Sequence, residues 1–311
     1  MLINDKFNVY QLLRVTGLKF LALFILAGAV AITSTQLELR HLLFPTELVA
    51  IIVAAVSIFL AFRINTGYAR WWQARLVWGS FVNDSRTLGM YVVAMMRKSD
   101  TLSDDEAELH RRIIYRQIGY VNAFRLQLRG QGEADWSQEI WRRKINGLPL
   151  FSEAEAALLE GKSNKATQII MLQAAEVSAF FDHGEDYRHV TMAGLLRDIY
   201  GHQGQSEAIK TTVLAWGYAF YTRILVGFLA GIIIFSQVND LSLPAITLVA
   251  FIATVFVTIE QVGRNLDNPF ENSFNDAPLS TLCRVIEIDL LQQIGQPCDL
   301  KPLTPVNGRL N

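Results

Sequence analysis

The chain has 311 residues, 51% of them hydrophobic, with a mean hydropathy of +0.25, a formal net charge of −1 and a pI near 6.5. That hydropathy is above a soluble average and below a chain that is almost all membrane, so a sizeable aqueous part is expected beside the membrane part, and the balanced charge argues against a nucleic-acid partner. The two cysteines, Cys283 and Cys298, exclude a disulfide framework and a paired C-x-x-C metal site, and free thiols facing the cytosol are the expected state.

In chain order, residues 4–19 form a mixed amphipathic stretch with Lys6, Arg14 and Lys19, followed by an apolar run at 20–32 that extends to about Thr35. The run is short for a span of roughly 20 residues and would also suit a signal-peptide core. A second apolar span begins at Leu48 after a short polar turn, which favours a retained membrane helix.

The second span, 48–62, passes without a proline and with the single Gly67 into the basic and aromatic stretch ending at Arg75. One long helix that leaves the bilayer and continues into water is predicted. Ala54, Ile58 and Phe62 recur at i, i+4 and i+8 on one face of it. By periodicity alone this stripe is a packing face against other helices.

Residues 212–236 and 243–258 form two further apolar spans joined by the turn at 237–241. That turn has no Lys or Arg and the 36–47 turn has Arg40 alone, whereas Arg70, Arg75, Arg86, Arg97 and Lys98 follow the second span. The positive-inside rule then puts both termini and residues 65–211 in the cytoplasm. The domain organisation expected is 1–64, 65–211, 212–260 and 261–311.

The 65–211 region reads as helical, with no strand alternation and no fixed repeat. Ser103-x-x-Glu106 and Ser152-x-x-Glu155 are capping boxes. Apolar residues recur at helical spacing over 108–129 until Gly130-Gln131-Gly132 stops them, 131–165 reads as short helices and turns, and a longer helix resumes near Asn164. Asp182-His183-x-Glu185-Asp186-Tyr187-x-His189 holds metal-ligand residue types, but its two histidines stand six apart, not on the i, i+4 face of a two-His site. A solvated helix end or turn is the plainer reading.

Gly67-Tyr68-x-Arg70-Trp71-Trp72-x-Ala74-Arg75-x-x-Trp78-Gly79, followed by Asn83-x-Ser85-Arg86, resembles the signature of the bestrophin channels, including the bacterial branch. A lone Arg-Trp-Trp is also what an interfacial anchor carries; the longer spaced pattern is far more specific. Phe124-Arg125-Leu126-x-Leu128-Arg129-Gly130, residues 209–218, Glu260 and Asn268-Pro269-Phe270 extend the resemblance over most of the chain.

The resemblance implies an all-α membrane protein with four transmembrane helices and a helical cytosolic domain, assembled as a homopentamer around one axial ion path in the inner membrane. It carries a three-ring apolar neck onto Ala54, Ile58 and Phe62, with the register counted back from Arg70; Ala54 makes the first ring wider. A second, cytosolic constriction falls within 186–190, with Tyr187 as the choice. Glu47 stands at the outer mouth. No cofactor is expected; the partners are further copies of the chain, membrane lipids and permeant monovalent ions.

Ion sign stays open, since Glu47 and the acidic balance lean toward cations, the family implies chloride and other anions, and apolar rings carry no charge preference. In animal members the Asn-Pro-Phe motif runs into a dense acidic calcium clasp. Here Glu271-Asn272-Ser273-Phe274-Asn275-Asp276 keeps two carboxylates, too few for tight binding of a hard cation, so an ordinary turn into a helix near Leu279 is expected.

Arg223 is the one strong charge inside a span. It must face protein, water or the inner interface, because the bilayer centre would cost it roughly 2.5–3.5 kcal/mol. Gly227-x-x-x-Gly231 nearby permits close helix approach. A secondary transporter, the alternative function, predicts inverted repeats and broken helices, and an enzyme needs an acid, base or nucleophile constellation; neither pattern is visible.

Overall fold

A computed structural model describes residues 9–36, 45–98, 101–181, 186–212, 216–237, 242–273 and 276–305. Helices dominate: α1 (Val9–Gln36), α2 (Thr46–Met95), α3 (Asp104–Arg129), α4 (Glu133–Trp136), α5 (Glu153–Leu159), α6 (Lys165–Phe180), α7 (Asp186–Thr211), α8 (Trp216–Gln237), α9 (Leu243–Leu266) and α10 (Leu279–Gln293). The chain divides into two compact units, one of residues 4–71 and 213–268, the other of 1–3, 72–212 and 269–311.

The first unit holds α1, the start of α2, α8 and α9. Its core is aliphatic, with Ala27 and Ala31 of α1, Val56 and Leu60 of α2, Leu229 and Ile233 of α8, and Val249 of α9. Among the described residues, Thr16–Gln36, Glu47–Met95 and Leu243–Leu266 are long and apolar enough to cross a membrane, and Phe220–Ser236 is a shorter apolar helix. That shorter stretch lies within α8, itself a 22-residue helix. The turns at 37–44 and 238–241 lie outside the described residues.

Two glycines permit the closest helix approach in this unit. A Cβ on Gly67 of α2 would stand 3.0 Å from the Gly263 carbonyl oxygen and from Leu266 Cβ of α9, and one on Gly263 would stand 3.4 Å from Arg63 Cγ. Gly227 and Gly231 have nothing within 4 Å of an added Cβ. The small-residue pair seen in the sequence therefore makes no close contact among the described residues, and Gly67 with Gly263 makes one instead.

The second unit is built around α3, buried along most of its length. Trp78 and Phe81 from α2 meet Phe124 at ring-centroid distances of 5.9 and 5.6 Å, and Tyr120 stacks on Phe124 at 6.3 Å. Both capping boxes form: Glu106 accepts from the Ser103 N–H at 3.0 Å, and Glu155 from the Ser152 N–H at 2.8 Å. Gly130 ends α3 in the left-handed region at φ 62°, a conformation that suits a residue without a Cβ.

Glu155 also anchors the buried Arg116, whose Nε donates to it at 2.9 Å while Nη1 donates to Gln173 at 3.0 Å. Capping and core electrostatics thus meet on one carboxylate. Residues 131–165 form short pieces as expected, with one correction: Lys144–Ile145 (β1) pairs antiparallel with Leu148–Pro149 (β2). Asn146 and Gly147 join them at φ 50° and 81°. Asn-Gly is the dipeptide that a tight two-residue hairpin turn demands, and four strand residues are too few to show alternation.

Candidate functional site

Helix α2 carries two unlike faces within the membrane unit. Val49, Val56, Leu60, Arg63 and Gly67 are buried, at a spacing that keeps them on one side. Ile51, Ala54, Ala55, Ile58, Phe59 and Phe62 are exposed on the other, with Ile58 at 59% and Phe62 at 63%. The three residues singled out from sequence thus share one uncovered apolar face. Polar Asn65 and Thr66 follow them, also exposed.

Glu47 is exposed in the first turn of α2, where a carboxylate is favoured by the positive end of the helix dipole whatever else it does. Arg70, Trp71 and Arg75 are half-buried and Trp72 is exposed. Trp71 packs on Tyr68 with ring centroids 5.8 Å apart. Arg223 is exposed on α8.

Sequence reasoning missed the charge pair directly behind the stripe. The residue after Phe62 is Arg63, only 1% exposed, and its Nη2 lies 2.6 Å from Asp267 Oδ2 at the C-terminal cap of α9. Arg70 adds a second positive charge near Asp267. Glu260, also buried, meets Arg264 at 3.1 Å, and Lys19 of α1 donates to Gln261. Three helices therefore share a band of fixed charge at one end of this unit. The signal was present: an arginine abutting an apolar run, and an aspartate just before Asn-Pro-Phe.

In the second unit Tyr187 is 84% exposed in the first turn of α7. His183 and Glu185 lie outside the described residues, and His189 stacks on Phe181 at 6.0 Å. Among the described residues no three His, Cys, Asp or Glu side chains gather closely enough for a metal ion. Glu271 is exposed and 3.4 Å from Lys210, whereas Asp276 is buried and accepts the Ser273 N–H at 2.8 Å.

The comparisons with known proteins agree with this architecture. The family model described as Bacterial/Fungal Bestrophin protein matches residues 12–292. A voltage-dependent anion channel-forming protein of Escherichia coli strain K12, YneE, is 27% identical over 83% of this chain and 79% of its own length. Its namesake sll1024 of Synechocystis is also 27% identical, over 78% of this chain and 75% of its own. The crystal structure of a bacterial bestrophin homolog from Klebsiella pneumoniae has the same fold, with a TM-score of 0.78 at 24% identity, over 90% of this chain and 99% of that one.

The buried pair leads to a direct expectation. Asp267→Leu leaves the Arg63 guanidinium charged, buried and unpaired, which lowers stability by about 3 kcal/mol. Arg63→Met combined with Asp267→Leu removes both charges and recovers most of the loss. Thermal unfolding of the purified variants in detergent reads the difference; equal losses in the single and double variants would show that the pair is not coupled.

Proposed function

We propose that this chain, which belongs to the bacterial and fungal bestrophin family, is the subunit of a pentameric anion channel whose neck is lined by Ala54, Ile58 and Phe62. The observation that carries the reading is the uncovered apolar face of α2. One copy cannot enclose a path, so such a face on a long helix fits a closed ring in which it turns toward the axis. Bulky rings at Ile58 and Phe62 control flow by dewetting, and the smaller Ala54 leaves a wider ring.

The relatives bear the names of channel-forming proteins, not of enzymes, and those names specify anions. We take chloride and other monovalent anions as the permeant class on that support. Among the described residues α1, α2, α8 and α9 are each unbroken, which does not favour the discontinuous helices of a transporter. The chain is an integral membrane protein; we place it in the inner membrane, and the positive-inside charge bias supports termini and residues 65–211 in the cytoplasm. Tyr187 is our choice for the second, cytosolic constriction.

Native mass spectrometry from mild detergent is expected to give a five-chain species, and a stable monomer or dimer would sink the ring. In planar bilayers with asymmetric salt, currents should reverse near the chloride potential. Phe62→Ala should raise conductance several-fold at matched protein level, since it removes a ring of apolar bulk. Reversal near the cation potential would overturn the ion sign, and unchanged flux in well-folded Phe62→Ala oligomer would overturn the neck.

Calcium should not be needed. Glu271 is engaged with Lys210 at the surface and Asp276 with backbone inside the fold, an arrangement that supports a turn and not a clasp of 6–8 oxygens. Liposome flux in chelator and in millimolar calcium should agree within about twofold. Strong activation by calcium that Asp276→Ala abolishes would reverse this reading.

A further inference from the structure

Within the second unit, one cavity has the chemistry of a ligand site. It measures about 380 Å³ and opens between α3, the π turn at Ser137–Trp141 and α10, and its lining is predominantly polar. Arg125, Arg143 and Arg284 reach it from three separate segments, with Ser280, Glu139 and Glu287. The carboxylates are already committed. Glu287 engages Arg143 through one oxygen and lies 3.5 Å from Arg284 through the other, while Glu139 holds Arg125 Nη2.

What remains is an excess of donors. Ser280 Oγ accepts from Arg129 Nη1 at 2.9 Å and from Arg125 Nη1 at a long 3.4 Å. One neutral hydroxyl thus serves two guanidiniums. Arg125 is 5% exposed, and its Nε, with Nε and Nη2 of Arg129, is buried without a hydrogen-bond partner among the described residues. Buried polar groups in native proteins are nearly always satisfied, so the Arg125 guanidinium, the one of the two that lines the cavity, is short of an acceptor there.

The electrostatics point the same way. Arg125, Arg129, Arg143 and Arg284 face Glu139, Glu287 and Asp276, leaving positive charge in excess. Burial, with Arg125 alongside, pulls the Arg129 guanidinium down to about 10. Ser280 also stands in the first turn of α10, a 15-residue helix with no side-chain cap and no acidic residue in that turn, so its dipole adds further positive potential.

We propose that this cavity binds a phosphate group, held by Arg125 beside Ser280 and by Arg143 and Arg284 from the other two segments, with Arg129 adding positive charge behind Ser280. Planar guanidiniums converging from separate directions match the several oxygens and double charge of phosphate, which a spherical halide would leave largely unused. A soluble phosphate compound and a phospholipid headgroup share this chemistry.

Titration calorimetry of the full-length protein in phosphatidylcholine nanodiscs, with inorganic phosphate at constant ionic strength, is expected to show one saturable site per chain. Arg284→Gln, at the partly exposed edge, should keep the fold and weaken binding about tenfold. Ser280→Asp places a fixed carboxylate against both guanidiniums and should abolish the heat; if that variant does not fold, Arg284→Gln decides alone. Loss of the phosphate signal when phosphatidic acid is added to the nanodiscs assigns the site to a lipid headgroup, and its persistence assigns it to a soluble compound. No saturable heat in the natural protein, or unchanged affinity in Arg284→Gln, would overturn the site.

Discussion

A buried guanidinium is the hardest constraint in the membrane unit. Arg63 is almost completely enclosed and has one carboxylate, Asp267, against it. An unpaired charge in such surroundings would be untenable, and a paired one contributes little net stability but is costly to break. The pair therefore specifies more than it stabilises. It ties the turn of α2 that follows Phe62 to the residue that precedes Asn268-Pro269-Phe270, and it demands that α2 and α9 cross closely. Gly67 and Gly263 ease that crossing, because a Cβ on Gly67 would press to 3.0 Å against the Gly263 carbonyl oxygen and Leu266 Cβ of α9.

With one face of α2 held in this way, the other face is determined. Val56, Leu60, Arg63 and Gly67 cannot turn outward without exposing the pair and opening the crossing, so Ile58 and Phe62 must point away from their own chain. Stripe and pair are thus two sides of one helix, and adjacent residues carry them. A long helix propagates that rotational setting rigidly along its length, since each residue advances it by a fixed angle. The proposed neck owes its orientation to a charge pair buried on the opposite face of the helix.

The second unit uses charge differently. Along α3, Arg116 is matched by Glu155, Glu176 and Gln173, so its desolvation is offset on several sides. Arg125 and Arg129, farther along the same helix, are not matched to that degree. Core packing does not explain the contrast, because both regions sit beside the same aromatic and aliphatic cluster around Phe124 and Ile118. A buried cation left short of acceptors is a poor structural choice and a reasonable functional one.

Much of this was legible in residue order. Apolar runs, capping boxes, the Gly130 stop and the helix beginning at Leu279 depend on local backbone chemistry: satisfying end N–H groups, tolerating positive φ, burying an apolar face. The family signature at 67–86 and the stripe at Ala54, Ile58 and Phe62 were legible for the same reason, being patterns within one helix. The Asn146-Gly147 hairpin was equally local, but its strands are too short to announce themselves by alternation. What only the tertiary structure decided were meetings between distant segments. Arg63 lies 204 residues from Asp267, Gly67 finds Gly263 and not the conspicuous Gly227 and Gly231, and Arg125 and Arg129 share Ser280 across more than 150 positions. Each is a long-range contact between side chains that are ordinary where they stand. A charge, a glycine or a serine takes its meaning from what is folded against it, and one-dimensional spacing carries no record of that.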